Sequence, residues 1–554
     1  MPATMRIARV SLALCLLPLV AAADDIPGGG IDADRLATHL RILASDEFEG
    51  RAPTTPGEDK TVAYISEQFA AAGLQPAGDD GGWMQQVTLS RSTLTGPVEA
   101  TLQAGGTTRP LANSDDIAVE SLHPDPRVDL RDVPLVFAGY GVTAPELDWD
   151  DYAGLDVRGK IVVVLVNDPD FETDSGRFGG KAMTYYGRWT YKYEEAARRG
   201  AAGVLIVHET VPAAYPWATV RNGRNGPQYD IVRADAATHH LPMRGWMQRE
   251  VAERLFADVG MDFDAAKLAA QQQGFRGSAL GGATLSIAFG VVHDRVTTRN
   301  VAGVLPGAAQ ADETVILSGH WDSFGITPNA DERGDNIING AVDNATAIAS
   351  LIELARVFAA GEPPARSLLF LALTAEENGL LGAKYYAANP LRPLETTAAV
   401  LNMEMWSPDG PTHDISSWGM GKVSLEGSLV AAAAHDGRTY SPDPNLEAGL
   451  FYRADHFAFA QAGVPAITIG PGVDQLDGGI AGGQAARAAY FERCYHQPCD
   501  EFSHDWDMRG PTQDTQTVYR LAADIANRRD WPTWDADSEF AAERAKSAKH
   551  RPAP

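Results

Sequence analysis

Three apolar runs in the second half of the chain each lead straight into acidic or histidine residues, and that order constrains both the fold and the chemistry. TVILSGHWD reaches His320 and Asp322, SLLFLALTAEEN reaches Glu376 and Glu377, and AAVLNMEMW reaches Glu404. Short apolar runs bounded by polar residues read as buried strands, and open α/β sheets build their sites beyond the carboxyl ends of strands. Donors far apart in sequence therefore gather at one sheet edge, the arrangement of a metalloenzyme.

The surrounding pattern agrees with a parallel sheet. Strands expected at 314–318, 367–373, 398–402 and 465–469 alternate with helices such as 345–360, which predicts a sheet covered on both faces. Helical periodicity at 31–46, through Leu36, Leu40 and Leu43, and at 61–72, through Ile65 and Phe69 with Gly73 as a stop, supplies further cover. Between 131 and 290 the texture changes: strands at 134–141, 159–168 and 200–209 stand among turns and end in no set of metal donors. That segment reads as a non-catalytic insert. It divides the chain into residues 24–130, the start of the main domain; 131–290, the insert; 291–530, the catalytic part; and 531–554, a polar tail expected to fray.

A length of 554 residues exceeds what one core usually supports. The formal charge of -27 argues against nucleic acid or an anionic membrane as a partner, because phosphate is held by Lys and Arg. Residues 1–23 carry Arg6 and Arg9, an apolar run from Val10 to Val20 and then three alanines, which reads as a cleaved export signal. The run is shorter than the roughly 20 residues of a spanning helix. The expectation is a periplasmic or secreted protein with no membrane contact after cleavage. There, Cys494 and Cys499 on either side of His496 can pair; two free thiols and thiolate metal ligands are the alternatives.

Each donor has a plain reading beside a catalytic one. His320 and Asp322 alternate along a strand end, so one can hold a metal while the other's carboxylate receives the imidazole N–H. Asp343, at the start of the apolar helix in AVDNATAIASLIELA, suits an N-cap or a carboxylate shared by two metals. Glu376 and Glu377 follow an apolar strand, so at least one buried carboxylate there needs a partner. As neighbours on an extended segment they project to opposite sides, one toward metal and one toward substrate. With Glu404 and His496 added, the set offers two imidazoles and three carboxylates, which suits two divalent ions about 3.5–4 Å apart, zinc foremost.

These residues, with LASDEFEGRAPTTPGEDK near the amino end and HWD, VDNAT, AEENGLLG and YHQPCDEF later, resemble the M28 family of co-catalytic zinc aminopeptidases carrying an inserted protease-associated domain. The resemblance implies a three-layer α/β/α phosphorylase/hydrolase-like fold with a mostly β insert, and two Zn2+ per chain. It implies that His320, Asp343 and Glu404 ligate one ion, with Asp343 bridging, and that Glu377 and His496 serve the other. Glu376 resembles the general base, Asp322 the residue that orients His320, and Tyr495 a tyrosine that stabilises the oxyanion. Glu404 stands where the family commonly has Asp, and FYRADHFAF carries Ala454 where its Arg-Ser-Asp-His region has serine. The implied activity is removal of N-terminal residues from peptides. A single-zinc glutaminyl cyclase and a non-catalytic peptide-binding protein are the rivals. The aromatic run Tyr185, Tyr186, Trp189, Tyr191 and Tyr193 suits core packing or a cap over a cleft.

Overall fold

The computed structural model describes residues 27–551 apart from 225, 329, 420, 421, 444 and 537; the expected export signal at 1–23 lies outside the described residues. The four strands expected from the apolar runs form as Gln310–His320, Arg366–Leu373, Thr397–Met403 and Ala466–Pro471. They are mutually parallel, with Val315 opposite Leu368 on one side and Ala399 on the other. Parallel strands need both faces covered, and their side chains divide accordingly. Val315, Leu317, Leu368, Phe370 and Leu401 face one core, built with the helices Ala33–Leu43, Pro56–Ala72, Thr346–Ala360 and Arg509–Asn527. Ile316, Leu369, Leu371 and Val400 face the other, under the helices Leu381–Ala388 and His456–Gln461. The period of two in the strands and of 3.6 in the helices thus yields three layers.

The strand Ser278–Leu305 runs from this domain into the insert. It pairs antiparallel with Arg366–Leu373 near Val301 and with Arg127–Phe137 near Ile287, while Met84–Ala104 lies along most of its length. The segment expected to be mostly β also carries the helices Trp189–Arg198, Arg249–Asp258 and Phe263–Ala270. These flank the parallel strands Ile161–Leu165, Gly203–His208 and Met243–Gln248. Its core reaches back to Ala100 and Leu102, so the boundary expected at 131 falls inside it. The boundary expected at 290 falls within a continuous strand. Apolar texture marks where burial changes, not where the chain crosses between cores.

The stretch after 530 is docked rather than frayed. Trp534 is buried and donates from Nε1 to the Gly463 carbonyl at 2.9 Å, Phe540 stacks on Phe451, and Arg544 donates to the Thr397 carbonyl at 2.8 Å. Two tryptophans in a polar segment outweigh its average hydropathy. Among the described residues no helix is long and apolar enough to cross a membrane.

Candidate metal centre

The strand ends deliver their donors to one edge of the sheet. His320 closes Gln310–His320 and is 1% exposed; its Nε2 lies 3.2 Å from Asp343 Oδ1 and 3.4 Å from Glu404 Oε2. Asp343 turns its other oxygen to His496, with Oδ2 3.3 Å from Nε2, and Glu377 Oε2 lies 3.1 Å from the same nitrogen. Three three-donor groups result: His320–Asp343–Glu404 and Asp343–Glu377–His496, which share the Asp343 carboxylate, and His320–Glu376–Glu377 beside them. Donor atoms about 2.0–2.1 Å from a tetrahedral zinc stand about 3.3 Å apart, so these spacings fit that ion. The buried atoms Glu377 Oε1 and His496 Nε2 have no hydrogen-bond partner among the described residues.

Electrostatics point the same way. Burial pulls both imidazoles toward the neutral form, yet Glu404 and Glu376 lift His320 well above its ordinary pKa, and Glu377 with Asp343 lift His496 to about 9. The cluster favours positive charge at its centre, whether a proton or a metal cation. Glu376, with Oε2 3.9 Å from His320 Nε2, stands beside both groups. Burial raises its pKa well above the carboxylate range and Glu377 adds to the rise, against the pull of His320.

Asp322 does not take the place expected for it. The nearest acceptor to His320 Nδ1 is the Asp322 backbone carbonyl at 3.1 Å, while the Asp322 carboxylate stands 3.7 Å away. Its carboxylate instead accepts the backbone N–H groups of Glu376, at 3.1 Å, and Glu377, at 3.4 Å. Asp322 thereby ties the turn bearing the two glutamates to the end of the histidine strand. Acceptors on the Nδ1 side still place the imidazole proton there and leave Nε2 for a metal. Asp343 makes no side-chain cap at the start of its helix, so of its two readings only the shared carboxylate matches the geometry.

Glu404 is longer than the usual Asp and is braced to match. Asn344 Nδ2 donates to its Oε2 at 2.5 Å and Asn402 Nδ2 to its Oε1 at 3.1 Å. Met403 and Met405 on either side are both buried, but in different clusters, because the strand ends at Met403 and the chain turns at Met405, φ 55°. His496 sits at φ 58° in a loop closed by the Cys494–Cys499 disulfide. Its ring is held between Tyr495, stacked at 3.7 Å, and Phe324 at 4.5 Å. Arg453 Nη2 donates to the Tyr495 hydroxyl oxygen at 3.0 Å, which leaves the hydroxyl proton for another acceptor.

Two positioning residues escape sequence reasoning. Asp500 accepts the Val342 N–H at 2.8 Å and the Asp343 N–H at 3.1 Å, holding the loop that carries the shared carboxylate. Arg51 is fully buried and donates to four backbone carbonyls: Trp321 at 2.7 Å, Leu43 at 2.8 Å, Asn339 at 2.6 Å and Gly340 at 2.8 Å. It cements the loops that follow His320 and precede Asp343. The turn around it needs Gly50, at φ +64°, where a Cβ would stand 2.4 Å from the Ile338 carbonyl oxygen. Both residues lie in motifs quoted above, EFEGR and QPCDEF, but their partners are backbone groups that no side-chain pattern reveals.

Comparison with known proteins identifies the architecture. The family model "Peptidase family M28" matches residues 300–519, which hold every donor named here. A "Probable zinc metalloprotease" of Pyrenophora teres f. teres (strain 0-1) is 37% identical over 159 residues, 27% of this chain and 33% of that protein. "Aminopeptidase NAALADL1" of Mus musculus is 32% identical over 123 residues, 21% of this chain and 15% of that protein. The chain thus spans a third or less of these two relatives. The solved aminopeptidase from Aneurinibacillus sp. strain AM-1 superposes with a TM-score of 0.53 at 21% identity, covering 90% of this chain and 95% of that one, which extends the shared fold across the insert. Residues 300–519 of this chain thus match peptidase family M28.

Proposed function

We propose that the protein is an exported di-zinc aminopeptidase that cleaves N-terminal residues from peptides. The observation that carries the reading is the pair of three-donor groups joined by Asp343, with the carboxylate of Glu376 beside them. His320, Asp343 and Glu404 would hold one zinc, and Asp343, Glu377 and His496 the other. Bound there, zinc supplies Lewis acidity toward an acyl oxygen and lowers the pKa of water.

The chain's own residues do the rest. Glu376, its proton affinity raised by burial, takes a proton from the attacking water and passes it to the leaving amine nitrogen. Asp322 fixes the turn that aims Glu376 and Glu377. Tyr495, whose oxygen is occupied by Arg453, has its hydroxyl proton free to meet negative charge developing on the acyl oxygen. The insert, read as a protease-associated domain, lines the cleft opposite Glu376, Glu377 and His496. The Cys494–Cys499 pair supports an oxidising destination. The mouse relative and the Aneurinibacillus structure, both aminopeptidases by name, support the aminopeptidase assignment.

The test is a panel of aminoacyl reporters and free and N-blocked peptides, assayed with zinc and with a chelator, beside metal analysis of the protein. Expected are cleavage of free-amine substrates only, loss with chelator, recovery with zinc, and two zinc ions per chain. One zinc per chain with cyclisation of N-terminal glutamine would replace this reading by the cyclase. No turnover of any substrate with zinc supplied would leave a binding protein.

A further inference from the structure

A cavity of about 600 Å³ lies between the insert and the family M28 domain, with Glu376, Glu377 and His496 on its floor and Arg188, Trp189 and Tyr215 on its roof. The roof is fastened at several points. The Tyr185 ring packs on Tyr452 and Phe457, Met183 N–H donates to the Leu446 carbonyl at 2.9 Å, and Asn222 donates to Gln497 Oε1 at 3.0 Å. The aromatic run, expected as core or cap, serves as both: Tyr191 and Tyr193 are buried and Tyr186 packs against the insert's core, while Tyr185, Trp189 and one side of Tyr193 line the cavity.

The arginines lining this cavity differ in one respect. Arg224 and Arg244 pair with Glu120 at 3.0 and 2.6 Å, and Arg233 pairs with Asp230 at 2.9 Å. Arg188 is only 8% exposed, its Nε is buried without a partner, and its side chain makes no ion pair or hydrogen bond among the described residues. Its guanidinium lies 5.9 Å from the Trp189 ring centroid. Arg453 makes no carboxylate contact within 4 Å either: it donates to Tyr495 and stands 5.3 Å over the Tyr215 ring. Burial, and then the charge of Arg453, lower the Arg188 pKa only to about 10, so both guanidiniums stay charged near neutral pH. A buried charge without a close counter-ion is costly; Glu376 acts on Arg453 from a distance, but no carboxylate among the described residues stands within 4 Å of either guanidinium.

We infer that Arg188 and Arg453 form a subsite for a substrate carboxylate on the leaving-group side of the scissile bond, selecting short peptides that end there or carry an acidic residue there. The inference rests on the peptidase reading. Arg453 reaches the metal donors through Tyr495, which stacks on His496, so the subsite stands within a residue or two of the reacting carbonyl. Two guanidiniums repel a free amine, which belongs at the acidic end of the cleft near Glu376 and Glu377. A dipeptide zwitterion is thus aligned by its two charges, and a guanidinium fork matches a carboxylate in geometry as well as sign. The insert then supplies a specificity residue, because Arg188 belongs to it.

The test compares kcat/KM of the full-length, zinc-supplied protein for Ala-Ala, Ala-Ala-amide, Ala-Asp-amide and Ala-Asn-amide. A free acid should be preferred over its amide by roughly 10- to 100-fold, the range of a charge-assisted contact. A preference for Ala-Asp-amide over Ala-Asn-amide would assign the subsite to an acidic side chain, and its absence to the C-terminal carboxylate. Arg188→Gln should bring the acid-to-amide ratio close to one, and Arg188→Lys should restore part of it. Equal rates within both pairs, Ala-Ala with Ala-Ala-amide and Ala-Asp-amide with Ala-Asn-amide, in the unmodified protein would overturn the inference, as would a preference unmoved in Arg188→Gln. Should no substrate turn over, the peptidase reading fails separately. Calorimetric titration with Ala-Ala and Ala-Ala-amide then decides the subsite: tighter binding of the acid, weakened by Arg188→Gln, supports it, and equal binding overturns it.

Discussion

The two donor groups that share Asp343 are built differently. In the first, His320 ends one buried parallel strand and Glu404 directly follows another, and Asn344, Asn402 and the Asp322 carbonyl hold each side chain in place. In the second, Glu377 comes from a turn and His496 from a disulfide-closed loop; the His496 side chain is 13% exposed against 1% for His320, and Glu377 Oε1 lacks a partner among the described residues. Strand ends fix donors through the packing of the whole sheet, whereas loops fix them only through local contacts. The first group should therefore bind its ion more tightly and exchange it more slowly. Stepwise chelation should show one fast and one slow zinc; simultaneous loss would remove the distinction.

The largest effect is expected at the residue that stands beside both groups. Glu376→Gln should lower kcat by roughly 10²–10⁴ with zinc content unchanged, because general acid–base catalysis contributes about that much. Rate and zinc content together sharpen the comparison. Glu376 also lies within donor range of His320 and Glu377, so a loss of zinc in the variant would make it a ligand and erase the two-group division.

Next comes the brace behind the first group. Arg51→Met removes the donor to four buried carbonyls and should destabilise the protein by at least about 3 kcal/mol, since each stranded polar group costs roughly 1–3 kcal/mol. Chemical denaturation measures it. An unchanged midpoint would mean that water or relaxation replaces the guanidinium. Arg51 also marks where sequence reading stops. The strands were legible because parallel strands buried on both faces appear as unbroken apolar runs, and Arg366–Leu373 is buried at every position. Their donors were legible because each follows such a run. Arg51 and Asp500 act on backbone groups of residues far away in the chain, which leaves no periodicity to read. Asp322 was half legible: its place beside His320 follows from alternation, but its real partners are the N–H groups of a turn whose path the sequence does not encode locally. The extent of the insert was obscured because its bounding strands, Met84–Ala104 and Ser278–Leu305, serve two cores at once.

A smaller effect separates the groups directly. Asn344→Ala removes one amide from Glu404 and should weaken one zinc by about 10- to 100-fold, the usual cost of losing an outer partner of a ligand. Competition with a chromogenic chelator reads both ions, and only the slow one should shift. A shift confined to the fast ion would mean that the assignment of tight and loose groups is reversed.

The smallest effect belongs to the loop of the second group. Replacing Cys494 and Cys499 together by Ser opens a short ring, for which chain entropy gives at most about 2 kcal/mol. Much of His496's placement survives that change, because its ring stays between Tyr495 and Phe324 and the adjoining Asp500 still accepts from Val342 and Asp343. The double variant should therefore keep the slow zinc untouched and release the fast one sooner, with the acceleration within the bound set by ring entropy. An equal loss from both groups would show that the loop supports the shared Asp343, through Asp500, more than it supports His496. The loose group would then be loose because of its turn at Glu377 alone.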